Sequence, residues 1–384
     1  MRGDIRTKPN PTFSISFNPN ASTFSVLGEV KRRLEIATRN GSGALIKMTK
    51  EQIKAELEAG SNDAAEKAHI PGLTSDEFDH VLEIITEPNR VVSVERGREV
   101  VLTRDGGVLK YTGTSRYSGA PLSKEQAVIV GERIVGLDTM ELGNADYSFK
   151  PCKAIAIDET QHMENAQMIS IIPLFYGAMP NLGSYYQSLG GPWPAPIELL
   201  KQGKVKESRE TQERAAGDLE TDILYIAKIM EEAGSDGFNF DTAAAYGDAE
   251  FYATLRAIEQ VKRETNMAVE VGMAGEMISG MHCGLDYQGT QLAGLWPHQQ
   301  GKLIEKAGAS IFGPVVNTRT TKSFPWNLGR ALAFIKAVTK EVRIPIHCDM
   351  GMGVCGVPMT EIPPIDAVTR AAKAMVEIAD IDGV

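Results

Sequence analysis

From residue 138 onward, short apolar runs alternate with amphipathic stretches, the pattern of parallel strands joined by crossover helices. It predicts strands at 139–142, 169–176, 237–241, 268–273, 309–316 and 344–349, with a stub at 383–384. Most spacings are about 30 to 42 residues, the length of one βα unit. The interval between the second and third strands is near 66 and holds the Gly/Pro-rich stretch 181–196, which predicts a loop or lid with a short extra helix. Apolar residues at helical spacing predict helices at 213–234, closed by Gly234, at 249–265, 299–308 and 326–340, and from Ile365 through Val376. Nearer the N-terminus, 49–59 and 74–86 read as helices, each opened by a threonine with Gln52 or Glu77 three residues on, the capping-box pattern. Short strands follow at 91–94, 99–103 and 108–111 around Asp105-Gly106-Gly107, a hairpin turn.

Seven strand starts in series favour an incomplete TIM (β/α)8 barrel, lacking C-terminal strands and helices, with a small N-terminal α+β cap. The organisation expected is 1–40 as a disordered tail or mis-assigned start, 41–125 as the cap, and 126–384 as the partial barrel. A doubly wound dinucleotide fold would need a glycine-rich turn after its first strand, and 143–149 offers none. The run GMGVCG at 351–356 has the glycine spacing, but Pro358, Pro363 and Pro364 precede the next helix, so no phosphate could sit on that helix's N-terminus. At the other end, Ile381-Asp382-Gly383-Val384 resembles a loop and the first residues of a buried strand, so the chain is expected to be incomplete there.

Charge separates the ends further. Residues 1–40 carry net +4, whereas the whole chain is at -10, which argues against a non-specific nucleic-acid binder. No stretch approaches 18 apolar residues and no signal-peptide core is evident, so neither a membrane nor export is expected. Four cysteines without CxxC spacing argue against a disulfide framework or a zinc ribbon and fit a reducing cytoplasm.

In a barrel, chemistry gathers at the C-terminal ends of the strands. Glu141 ends the first strand with Tyr147 in its loop, Tyr176 ends the second, Asn239 and Asp241 the third. Glu270 lies within the fourth, with Glu276 after it; Asn317 ends the fifth, and His347 with Asp349 the sixth. Glu270 alternates with Val269 and Val271 and so points into the barrel, where it needs a partner or a proton. Asp241 and Asp349 fit equally well as caps or as partners of a buried cation. The catalytic candidates are Glu270 and Glu141, with Asp241 second; Tyr176, Asn239, Tyr147, His347 and Asp349 are candidates for holding substrate. No metal site is expected, because His347 and Cys348 point to opposite faces of one strand; the alternative is a zinc-dependent cobamide methyltransferase or decarboxylase-like barrel using His347 and Cys348, with Cys355, His282 and Cys283 as further His/Cys candidates.

The segments DTMELG (138–143), DYSFKP (146–151), IPLFYGAMPN (172–181), NFDT (239–242), GMAGE (272–276), LWPHQQ (295–300), DMGMG (349–353) and PPIDAVTRA (363–371) closely resemble the dimethylamine methyltransferases of methylotrophic methanogens. The resemblance covers residues 44–384, with no counterpart for 1–40. It implies a TIM barrel in which an in-frame UAG codon is read as pyrrolysine directly after Val384, so that this chain is a translation stopped at that codon and inactive as it stands. It further implies dimethylamine as substrate and a methyl acceptor, cob(I)amide, on a separate corrinoid protein docked at the barrel mouth. A homo-oligomer is expected for the full-length form, with no nucleic-acid or membrane partner. A second outcome is a non-catalytic fragment that binds the corrinoid protein.

Overall fold

The computed structural model describes residues 35–95, 175–281 and 284–384. The chain enters as a hairpin of β1 (Ile36–Arg39) and β2 (Leu45–Met48). Its turn is built by Asn40, whose Oδ1 accepts the amides of Ser42 and Ala44 at 3.1 and 2.9 Å. Strand β1 thus lies inside the stretch expected to be a disordered tail. It is fixed from afar: Arg39 Nε pairs with Asp366 at 2.8 Å, and Asn40 bridges Ser323.

Helices α1 (Lys50–Ala68) and α2 (Ser75–Thr86) follow, and both predicted capping boxes form, Thr49 with Gln52 and Thr74 with Glu77. Helix α1 runs nine residues past its predicted end, through Gly60-Ser61-Asn62, a sequence that reads as a turn. These small residues mark a close crossing. A Cβ on Gly60 would stand 1.9 Å from the carbonyl oxygen of Trp326, and Ser61 Oγ accepts the amide of Leu73 at 2.9 Å. The predicted strand at 91–94 is irregular backbone instead. Carbonyls just before it, Glu87 O and Asn89 O, accept from Arg370 at 2.7 and 2.8 Å, so side chains of a helix meet this segment where a partner strand was expected.

The central sheet is parallel and four-stranded: β3 (Phe175–Ala178), β4 (Gly237–Ala243), β5 (Ala268–Met273) and β8 (Ile311–Gly313), paired in chain order. Two small strands, β6 (Asp286–Tyr287) and β7 (Thr290–Gln291), form a separate hairpin between β5 and β8. Beyond β8 the ladder continues as single bridges, Phe312 with Ile346 and His347 with Gly383, both parallel. The predicted strands at 309–316 and 344–349 are therefore curtailed. Pro314 and Pro345 each lack the N–H that a longer ladder requires. The predicted strands at 139–142, 99–103 and 108–111 and most of 169–176 lie outside the described residues.

Among the described residues, six more helices accompany the sheet: α3 (Pro196–Lys201), α4 (Val205–Glu232), α5 (Asp248–Glu264), α6 (Pro297–Ala307), α7 (Phe324–Glu341) and α8 (Ile365–Ile378). The sequence pattern places α5 to α8 within two residues, but α4 begins eight residues early. Its first two turns bury polar rather than apolar side chains: Ser208 and Thr211 donate to the carbonyls of Pro196 and Pro194 at 3.1 and 2.9 Å. The architecture is mixed α/β around one apolar core that also takes in Ile53, Leu57, Val81 and Ile85 of α1 and α2. The N-terminal helices thus share the core of α7 and α8.

The α1–α7 crossing gives a paired test. Gly60→Ala should lower stability by about 2–3 kcal/mol in urea melts, because the carbonyl of Trp326 cannot retreat. Gly217→Ala on the exposed face of α4, where nothing lies within 4 Å, should instead stabilise by roughly 0.5–1 kcal/mol through helix propensity.

Candidate functional site

Register assigns the two faces of the sheet. Phe240, Val271 and Phe312 stand in one row, and a Cβ on Gly301 of α6 would meet the ring of Phe312 at 2.8 Å, so this row faces the helices. The opposite face carries Gly177, Asn239 and Glu270 in one row and Gly272 with Gly313 in the next. Of these glycines Gly272 leaves room, since a Cβ there would meet only the carbonyl of Phe240, at 3.6 Å, whereas one on Gly177 would stand 1.7 Å from the carbonyl oxygen of Asn239.

On this polar face, Glu270 Oε1 lies 2.6 Å from His347 Nδ1, across the narrow β8. Both are largely buried, with side chains 10% and 20% exposed. Asn239 pairs with Glu270 in register and is buried beside it. A carboxylate in hydrogen-bonded contact with an imidazole can accept a proton, return it, or hold a cationic adduct. Asp241 lies two residues beyond Asn239, at the end of β4, and Asp349 two residues beyond His347; both are partly exposed. Directly after Asp241 the backbone turns left-handed at Thr242 (φ 55°) and Ala244 (φ 65°), a conformation that a β-branched residue adopts only when its surroundings impose it.

Register sets Tyr176 apart from this row. It pairs with Phe238, two residues before Phe240, and so belongs to the helix-facing side rather than to the Glu270 row. Glu141 and Tyr147 lie outside the described residues, as do His282 and Cys283. Cys348 is fully buried next to Cys355, and the hydrogen bond its thiol makes to Cys355, then burial, pushes that thiol well above the usual range. Among the described residues no group of three or more His, Cys, Asp or Glu side chains is arranged to hold a metal ion. Nor is any described helix long and apolar enough to cross a membrane.

Sequence pattern missed two residues that hold the strand-end loops. Arg330, 1% exposed, donates to Glu276 at 2.5 and 2.7 Å and to Asp63 at 2.7 Å, and lies over the ring of Phe334 at 4.9 Å. Glu276 Oε2 accepts the amide of Asn317 at 3.2 Å, while Asn317 Oδ1 accepts that of Glu276 at 3.1 Å, so the loops after β5 and β8 are locked together. Burial acts to lower the Arg330 pKa, but Glu276 and Asp63 outweigh it and raise it. Glu250, fully buried in the first turn of α5, accepts amides from the loops after β3 and β4; burial pushes its carboxyl up to about 7. The signal for Arg330 was a cation within an otherwise apolar helix face, and for Glu250 an acid at the third position of a helix.

A parallel α/β sheet with a buried carboxylate–imidazole pair on the face turned away from its helices has the build of an enzyme. The chain belongs to the dimethylamine methyltransferase family, whose model matches residues 34–384. Among solved structures it is similar to the carboxyl transferase domain of Rhizobium etli pyruvate carboxylase with 3-bromopyruvate, at 15% identity and TM-score 0.36, over 86% of this chain and 50% of that one. A threonine-to-alanine variant of Rhizobium etli pyruvate carboxylase with the allosteric activator acetyl coenzyme A is similar at 14% identity and TM-score 0.37, over 86% of this chain and 30% of that one. The chain thus spans half the length of the first of these and less of the second.

Two measurements probe these loops. Arg330→Met should cost about 3–5 kcal/mol, because Glu276 and Asp63 lose their common cation inside the protein. Glu250 gives a pH signature. Its folded pKa, about 7, stands above the ordinary 4.5, so its stabilising contribution is complete below pH 4.5 and is lost as pH rises through 7. Glu250→Gln should remove this component, gaining on wild type by roughly 1–2 kcal/mol between pH 5.5 and 8 in urea unfolding.

Proposed function

We propose that this chain, in a form extended past Val384 with pyrrolysine, acts as a dimethylamine:corrinoid protein methyltransferase, moving a methyl group from dimethylamine to cob(I)amide on a separate corrinoid protein. The observation that carries the reading is the Glu270–His347 pair beside Asn239, on a face left open at Gly272, in a chain of the dimethylamine methyltransferase family. The in-order parallel sheet supports a sector of a (β/α)8 barrel as its architecture. The free thiols of Cys348 and Cys355 support a reducing, cytoplasmic setting.

The resemblance in sequence expects pyrrolysine directly after Val384, where its pyrroline imine would supply an electrophilic carbon for the amine. The neighbouring residues fit such a group. Gly383 bridges His347, so a residue of the same parity in a continued strand would lie on the face of Glu270 and Asn239, which would hold the group. The open space above Gly272 lies on that face. Glu270, oriented by His347, takes or returns the proton of the bound ammonium group. Asn239 directs its amide at the amine, and Asp241 and Asp349, at the strand ends, add negative charge that favours a cationic substrate. The corrinoid protein approaches from this C-terminal end of the sheet, and holding amine and acceptor in line lowers the barrier by several kcal/mol.

The test follows the loss of cob(I)amide absorbance when dimethylamine is added to the corrinoid protein, a reductant, and a chain extended with pyrrolysine directly after Val384. Wild type should methylate the cobamide. Glu270→Gln should slow it on the order of a hundredfold with little change in melting temperature. Full activity in Glu270→Gln would remove that carboxylate from the chemistry, and methylation from a donor other than an amine would overturn the reading.

A further inference from the structure

Helix α5 begins between three strand-end loops, and its first turn binds all of them. Glu250 Oε2 accepts the amide of Leu182, in the loop after β3, at 2.8 Å. Its Oε1 accepts the amide of Tyr246, in the loop after β4, at 3.3 Å, and the amides of Ala244 and Ala245 reach the same carboxylate. The two loops also touch directly: a Cβ on Gly183 would stand 2.4 Å from the Tyr246 ring. Two residues earlier, Asp248 Oδ2 accepts the amide of Leu285, in the loop after β5, at 3.0 Å, and the Asp248 amide donates to Ser279 O at 2.7 Å. Glu250 has no surface at all, so water cannot replace these amides while the loops are closed.

We propose that Glu250 is a positioning residue: a single buried carboxylate that ties the loop after β3 to the loop after β4 and so fixes the C-terminal end of the site. The strained turn at Thr242 and Ala244 needs such a tie, since left-handed backbone at non-glycine residues relaxes unless it is held. The tie also sets the position of Asp241, which immediately precedes that turn, and of Asn181, which is buried and immediately precedes Leu182. Asp248 does the corresponding work for the third loop. Any kinetic consequence rests on the methyl-transfer reading above; the tie itself does not.

Hydrogen exchange by mass spectrometry on the whole chain tests the tie without any assay of activity. In Glu250→Ala, peptides covering 181–186 and 242–247 should exchange faster on the order of tenfold, while those covering 268–273 and 324–341 keep their protection. Asp248→Ala should speed exchange at Leu285, whose amide the carboxylate accepts, and leave 181–186 protected. Glu250→Gln keeps one acceptor oxygen and should release the loops less than Glu250→Ala, which covers the case of an alanine variant that does not fold. Unchanged exchange at both loops, or faster exchange spread evenly over the molecule, overturns the proposal. In the enzyme assay, Glu250→Ala should raise the KM for dimethylamine on the order of tenfold, more than it lowers kcat, whereas a loss of folded protein alone would lower kcat and leave KM unchanged. If wild type transfers no methyl group, the methyl-transfer reading fails and the exchange data still decide the tie.

Discussion

A carboxylate removed from water must be met by donors supplied by the protein, and this constraint organises the C-terminal end of the sheet. Glu270 is met by an imidazole, Glu276 by a guanidinium and an amide, Glu250 and Asp248 by amides of neighbouring loops. Each acid is thereby attached to a segment distant in sequence. The loops after four successive strands are held by ionic or charge-assisted bonds, while the layer between sheet and helices is apolar, with Phe238 and Phe240 edge to face at 5.1 Å.

The division of labour between the faces follows from the pleat. Alternate residues of β4 and β5 point oppositely, so the same strands supply aromatic and branched side chains to the helices and glycine, asparagine and glutamate to the other side. That placement needs no loop to bring Asn239 beside Glu270. Narrow β8, with Gly313 on the polar face, lets His347 reach across to the acid.

Much of this was legible in the sequence. Periodicity located α5 to α8 and the central strands, because those elements bury what their pattern says they bury. It shortened α1 and α4, whose buried faces are small or polar and are satisfied by hydrogen bonds that no hydropathy pattern records. Glu270, Asn239 and His347 stand out in the sequence as polar residues in apolar strands, whereas the face to which Tyr176 belongs emerges only from the strand register. Arg330 and Glu250 were not legible, since their importance lies in partners 54 to 267 residues away in one case and 68 in the other.

The first hairpin has a consequence for the order in which the chain can mature. Arg39 is bound to Asp366, 327 positions later, and Gly41 exchanges backbone hydrogen bonds with Lys322 and Met359. Helix α1 likewise finds its packing partner only when α7 has been made. At roughly 5–20 residues per second on the ribosome, residues 36–68 wait on the order of ten seconds to a minute with their apolar faces uncovered. Native structure over residues 36–68 is therefore among the last to form during synthesis, although that stretch is among the first to leave the ribosome.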